Sequence, residues 1–225
     1  MIKNKKFIVL FALFIVPLLF YILLQLGTHN FGKLPIVTKD VIDVSVIDKK
    51  HTFKGKISVV TFLGDSLQPA EGQVYNLKEK IYKKFYGYPS FQMISFVEHS
   101  QKETVDKLKK MLGVNVDLTK WTFIFISNEE AKAMHDSFKT ASSLDGFAHS
   151  PKAYIIDKEV NLRRGKSTIK SLEGQKLFGY NMTSVAELKN DMHDDVKVVL
   201  AEYNLALKKN RSEDRRIKSI SNEKK

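Results

Sequence analysis

Apolar positions in this chain fall into two regimes. Residues 7–26, FIVLFALFIVPLLFYILLQL, are almost unbroken, and Gln25 is their only strongly polar side chain. Twenty helical residues rise about 30 Å, enough to cross a hydrocarbon core. Lys3, Lys5 and Lys6 precede the run, which places the N-terminus in the cytoplasm and the remainder outside it. Pro17 lies inside the run, where membrane helices tolerate proline. The alternative is a cleaved signal peptide. Such a segment has a shorter apolar region ending at a small-residue site, and Gln25-Leu26-Gly27-Thr28-His29 offers none. The pattern is therefore read as an uncleaved single-pass anchor in the cell inner membrane, with the domain on its periplasmic or extracytoplasmic side.

Beyond a tether at 27–38, apolar residues return in short runs divided by polar turns. VIDVSVI at 41–47 alternates as a half-buried strand does, and 48–51 turns it back over 52–54, so the expectation is an N-terminal hairpin. Ile57, Val59, Val60, Phe62 and Leu63, between Gly55 and Gly64, form a buried central strand over 57–63. A helix is expected at 73–86 from Val74, Leu77, Ile81, Tyr82 and Phe85, with Lys78, Lys80, Lys83 and Lys84 as its solvated face. Then come a strand at 91–97 and a helix at 102–112, with Val105, Leu108, Met111 and Leu112 inward and Gly113 as its stop. A strand at 122–127 leads into a helix at 128–138, whose Glu129 and Glu130 suit the positive end of its dipole. After a polar loop at 140–150, strands at 152–156 and 160–164 make a hairpin with its tip at 157–159. Ser184 caps a last helix, with Glu187 three residues on. That helix runs to 207, with Val185, Leu188, Met192, Val196, Val199, Leu200 and Tyr203 inward.

Strands alternating with helices, then a hairpin and a closing helix, predict an α/β domain of thioredoxin-like type over 39–207. Its central mixed β-sheet would carry helices on both faces.

Charge changes this picture little. The formal net charge of +12 invites an anionic partner, but residues 208–225 alone hold eight basic and three acidic side chains. That tail lacks aromatics and reads as disordered. No zinc-knuckle spacing, recognition-helix pattern or phosphate-cradling glycine loop accompanies the charge, so nucleic acid is not the expected partner. The chain contains no cysteine, which excludes disulfides, thiol redox chemistry and thiolate metal sites.

Three motifs carry a family resemblance. They are GK-x-x-V-V-x-F at 55–62, K-W-T-F at 120–123 and H-S-x-x-x-Y-I-I-D at 149–157, with Leu162-Arg163-Arg164-Gly165 following the hairpin turn. In this order and spacing they resemble the Sco/SenC family over 39–207. The family's members are membrane-anchored, thioredoxin-like proteins that deliver copper to cytochrome oxidase. The resemblance implies a site of two cysteines, spaced CxxxC in the loop after the central strand, and one distant histidine, a soft set suited to copper. His149 stands at the histidine position. The cysteine positions fall at Leu67 and Glu71, an apolar side chain and a hard oxygen donor. With two of three ligands replaced, the family's copper and thiol chemistry does not transfer. What remains is a cell-envelope binding or assembly module with an unidentified protein partner, linked to oxidase maturation by fold analogy.

Other residues admit a chemical reading beside a plain one. His149 is either a copper ligand using non-thiolate partners, with His99 or His135 as candidates to join it, or a loop histidine. His193 with Asp191, Asp194 and Asp195 has metal-ligating composition, but neighbours in sequence diverge on a helix, so a solvated face is expected. Asp65, Ser66 and Glu71 would be the parts of a hydrolytic site, although no nucleophile-elbow pattern surrounds Ser66, which suits a helix cap. Trp121 is expected to pack at a strand start, and the aromatic segment 82–91 to be core. No catalytic residue and no resident cofactor is assigned.

Overall fold

A computed structural model describes residues 2–26, 32–65, 67 and 70–204. The expected cap at Ser66, tether residues 27–31, the final helix beyond 204 and the tail at 208–225 lie outside the described residues. The chain divides into two compact units, Met1–Gly32 and Lys33–Lys225.

The first unit is helix α1 (Ile2–Leu26). Its window Lys5–Ile22 is long and apolar enough to cross a membrane. Pro17 sits within it without ending it.

The second unit is a mixed sheet of seven strands among the described residues. These are β1 (Ile36–Thr38), β2 (Ile57–Gly64), β3 (Phe91–Glu98), β4 (Trp121–Ile126), β5 (His149–Ile156), β6 (Leu162–Arg163) and β7 (Tyr180–Asn181). Their order is β1-β6-β5-β2-β3-β4, with β7 also on β5. β2, β3 and β4 run parallel, and β5 runs antiparallel to β2. Parallel neighbours need crossovers. Helix α2 (71–85) joins β2 to β3, and α3 (Lys102–Leu112) joins β3 to β4. Helix α4 (Asn128–Ser137) follows β4, and α5 (185–204) closes the domain.

Alternation along the central strands divides the core. Ile57, Val59 and Leu63 of β2 pack with Val74, Leu77 and Ile81 of α2, Val105 and Leu108 of α3 and Leu188, Met192 and Val196 of α5. Val60 and Phe62 point the other way, toward Ala131 and Met134 of α4, Phe138, and Val41, Val44 and Phe53. Successive strand residues face opposite sides, so β2 is buried along its whole length. Trp121 is buried at the start of β4, where its indole N–H donates to Ser95 Oγ at 2.9 Å. Tyr82, Phe85 and Phe91 are core, whereas Tyr86 and Tyr88 are exposed.

Several expectations are corrected. The segment 41–47 is not a strand: Val44–Val46 is a 3-10 turn. Asp43 causes the fold-back by accepting bonds from the Ser45, Phe53 and Lys54 amides and the Thr52 hydroxyl. Four bonds to one carboxylate close the chain on itself and leave no strand partner. The strand there is instead β1, inside the stretch read as tether. Lys78 is buried rather than solvated, because its ammonium reaches the Val114 carbonyl at 3.3 Å. Met111 and Val185 are exposed rather than inward. Ser184 caps α5 as expected, accepting from the Glu187 amide at 3.2 Å. α4 has a full capping box built from Ser127 and Glu130.

Candidate functional site

The site is built where β2 ends. Gly64 has φ +63, and a Cβ there would overlap the Phe147 carbonyl oxygen and lie 2.8 Å from the Ala148 carbonyl carbon. Only glycine supplies both the left-handed backbone and the room. The Asp65 amide then donates to the Phe147 carbonyl at 3.0 Å, tying the segment after β2 to the one before β5. A register shift between Thr61 and Leu63 sets Leu63 opposite His149. On the β5 side, Asp145 Oδ1 accepts from the Phe147 and His149 amides, both at 2.9 Å. The fold thus fixes His149 beside the end of β2 and the start of α2.

Both ring nitrogens of His149 are engaged. Nε2 lies 3.2 Å from Gln73 Oε1, on the first turns of α2, and Nδ1 lies 3.4 Å from Asp145 Oδ2. The side chain is only 14% exposed. A neutral imidazole has one donor nitrogen and one acceptor nitrogen. Whether Nε2 donates to Gln73 depends on the tautomer, and Asp145 stands against the other nitrogen at ion-pair distance.

Leu67 is 1% exposed and belongs to the core with Ala70 and Val74. Its carbonyl accepts from the Ala70 amide at 3.0 Å, which leads the chain into α2. Glu71 opens α2, where a carboxylate is favourable against the helix dipole. Asp65 Oδ1 is a buried oxygen with no hydrogen-bond partner among the described residues.

This donor set does not fit copper. Leu67 is a buried alkyl side chain, Glu71 is a hard carboxylate, and the His149 nitrogens lie against an amide and a carboxylate. No group of three or more His, Cys, Asp or Glu among the described residues is arranged to hold a metal ion.

His135 does not join His149. It is buried under the opposite face of the sheet, with Nε2 3.0 Å from Tyr154 Oη, which is itself 3.2 Å from Ser150 Oγ. Burial, ahead of the neighbouring charges, pulls its pKa below the ordinary value. His99 is exposed in the 3-10 turn that follows β3.

The expected solvated face at 191–195 is corrected for two of its members. Asp191 is buried, accepting from the Ser167 hydroxyl at 2.6 Å and the Thr168 hydroxyl at 2.7 Å. Burial would raise its carboxyl, but the Ser167 and Thr168 bonds outweigh that and hold it below the usual range. Asp195 accepts from the Tyr180 hydroxyl at 2.5 Å and the Gly165 amide at 2.8 Å. There burial wins, and the carboxyl lies above its ordinary value. Between them sits Arg164, fully buried, 3.2 Å from Glu187 and 3.4 Å from both Asp191 and Asp195. Its guanidinium lies 3.9 Å from the Tyr180 ring centroid. Arg163 points elsewhere, to Asp157 at 2.8 Å, Glu202 at 2.7 Å and the Leu34 carbonyl. The motif at 162–165 is thus a clamp between the hairpin and α5. His193 and Asp194 remain on the outer side, 3.3 Å apart.

Sequence reasoning reached His149, Leu67 and Glu71 but missed Gln73, Asp145 and Phe147. The Asp-x-Phe-x-His spacing at 145–149 was the available signal, since a short acidic side chain caps the amides two and four residues on. Gln73 carries no signal, because its role exists only once α2 stands beside β5.

The fold has solved counterparts. It is similar to the crystal structure of a SCO1/SenC family lipoprotein from Bacillus anthracis str. Ames, with a TM-score of 0.50 and 14% identity over 75% of this chain and 99% of that one. It also aligns with BsSco, a member of the Sco family of cytochrome c oxidase assembly proteins. There the TM-score is 0.45 and the identity 15%, over 72% of this chain and 92% of that one. A thiol:disulfide interchange protein of the thioredoxin family from Chlorobium tepidum TLS aligns with a TM-score of 0.41 and 16% identity, over 75% of this chain and 96% of that one. No protein-family model and no curated protein matches the sequence. At such identities the likeness is one of fold, and the fold is thioredoxin-like, with the mixed sheet and flanking helices expected above.

Proposed function

We propose that this chain is a Sco/SenC-type domain turned from copper and thiol chemistry to binding, working as a non-catalytic assembly module in the cell envelope. In this reading α1 anchors it to the inner membrane by a single pass, with the domain on the extracytoplasmic side and respiratory oxidase maturation as its setting. The observation that carries the reading is the state of the ligand triad. Leu67 is core, Glu71 is a helix-opening carboxylate, and His149 is held by Gln73 and Asp145. A domain that keeps the scaffold around such a site while filling it with packing and hydrogen bonds is suited to presenting a surface. Phe147 supplies a candidate contact: the residue is 59% exposed while its backbone is pinned to Asp65 and Asp145. An aromatic held in place loses little entropy on docking.

A competition titration of the full chain with Cu(I) and Cu(II), beside His149→Ala, tests this reading. It predicts no uptake above background for either protein. Tight one-to-one binding that is lost in His149→Ala would replace it with a copper-binding function on a new ligand set.

A further inference from the structure

Charge of one sign gathers in the groove between α2 and α5. Lys80 and Lys84 stand four residues apart on α2, and Lys189, His193 and Lys197 repeat at the same interval on α5. All five line one cleft of about 550 Å³, together with Glu79 and Asp194. The walls are held at a fixed spacing. Leu77 and Ile81 share a core with Leu188, Met192 and Val196, and the Phe85 ring packs 5.2 Å from the His193 imidazole.

The two carboxylates do not balance the lysines. Glu79 is taken by Lys83 at 2.9 Å, a bond that holds its carboxyl below the usual range. Asp194 is shared between Lys197 and His193, each at 3.3 Å. Lys80, Lys84 and Lys189 have no ion pair among the described residues. Like charges spaced by four on a helix repel, as Lys80 and Lys84 do on α2, and Lys189 and Lys197 of α5 line the same cleft. An anion with several acceptor oxygens relieves that repulsion and satisfies the ammonium donors at once.

We propose that this cleft binds a phosphate-bearing anion, with Lys80, Lys84 and Lys189 as its ligands and His193 on its wall. The phosphate has two possible sources, a free phosphate compound or the headgroup of an anionic phospholipid. This site is separate from the one at 64–72 and does not depend on the function proposed there.

Isothermal titration of the full chain in an uncharged detergent, at low ionic strength, tests it with two probes. Pyrophosphate represents the free source, and glycerophosphoglycerol represents the headgroup. Saturable one-to-one binding of either supports the site, and the tighter probe identifies the source. The variant Lys80→Ala/Lys84→Ala/Lys189→Ala should weaken that binding by about tenfold or more. A control of equal charge change, Lys102→Ala/Lys107→Ala/Lys110→Ala on exposed positions of α3, should leave it within about twofold. Absence of saturable binding to both probes would overturn the proposal. So would equal weakening in the two triple variants, which marks a net-charge effect rather than a site.

Discussion

Gly64 is the residue on which the geometry at the end of β2 depends. A methyl group there would overlap the Phe147 carbonyl while φ sits at +63, so strain and clash act together. Gly64→Ala should cost about 3 kcal/mol or more of unfolding free energy, read by denaturant titration. His135 makes a prediction in pH. Its unfolded-state pKa is near 6.5, and burial lowers the folded value. Between the two values the unfolded chain holds the extra proton. The contribution is therefore complete above 6.5 and is lost as pH falls through the folded value. Subtracting the stability profile of His135→Phe from that of the native chain should isolate a slope confined to pH below 6.5. At this scale the sequence was partly legible. The polar loop and the glycine at its head marked a turn where Gly64 stands, whereas His149, read into the polar loop at 140–150, opens β5. Asp145 was within local reach through the spacing at 145–149, but nothing local announced Gln73, which lies 76 positions from His149.

Among elements, long apolar runs were read correctly and carboxylates misled. β2, β3 and α3 follow from apolar spacing alone, since burial of a stripe or a face is what spacing reports. At 41–47 the alternation was genuine, but Asp43 gathers four donors and turns the chain. A single side chain that replaces a strand's hydrogen bonds leaves the apolar pattern unchanged. α5 shows the same blindness. Its acidic cluster reads as solvent-facing until Arg164, from the far side of a hairpin, is placed against Glu187, Asp191 and Asp195. Removing that arginine would leave three carboxylates without their cation. Arg164→Leu should cost about 3–5 kcal/mol near neutral pH. Part of the loss should return as pH falls and Asp195 takes up a proton, because burial holds its folded carboxyl above the unfolded value. Urea unfolding at two pH values reads both effects, and a loss independent of pH would assign Arg164 a packing role alone.

For the whole molecule, the order of strands and helices carried the fold class, since alternating elements closed by a hairpin and helix admit few topologies. The sequence also presented an N-terminal apolar stretch, and α1 is long enough to span a bilayer. The proposal for the site at the end of β2 is that His149 occupies the histidine position of a Sco/SenC-type triad, with Leu67 and Glu71 at its two thiolate positions. Restoring those thiolates tests it most directly. The double variant Leu67→Cys/Glu71→Cys, kept reduced, would be titrated with Cu(I) against a competing chelator, beside the native chain and the same variant carrying His149→Ala. The expected result is no uptake by the native chain, one copper bound by the double variant, and at least about tenfold weaker binding once His149 is removed. A double variant that folds but binds no copper, or binds it regardless of His149, would contradict the placement of the site.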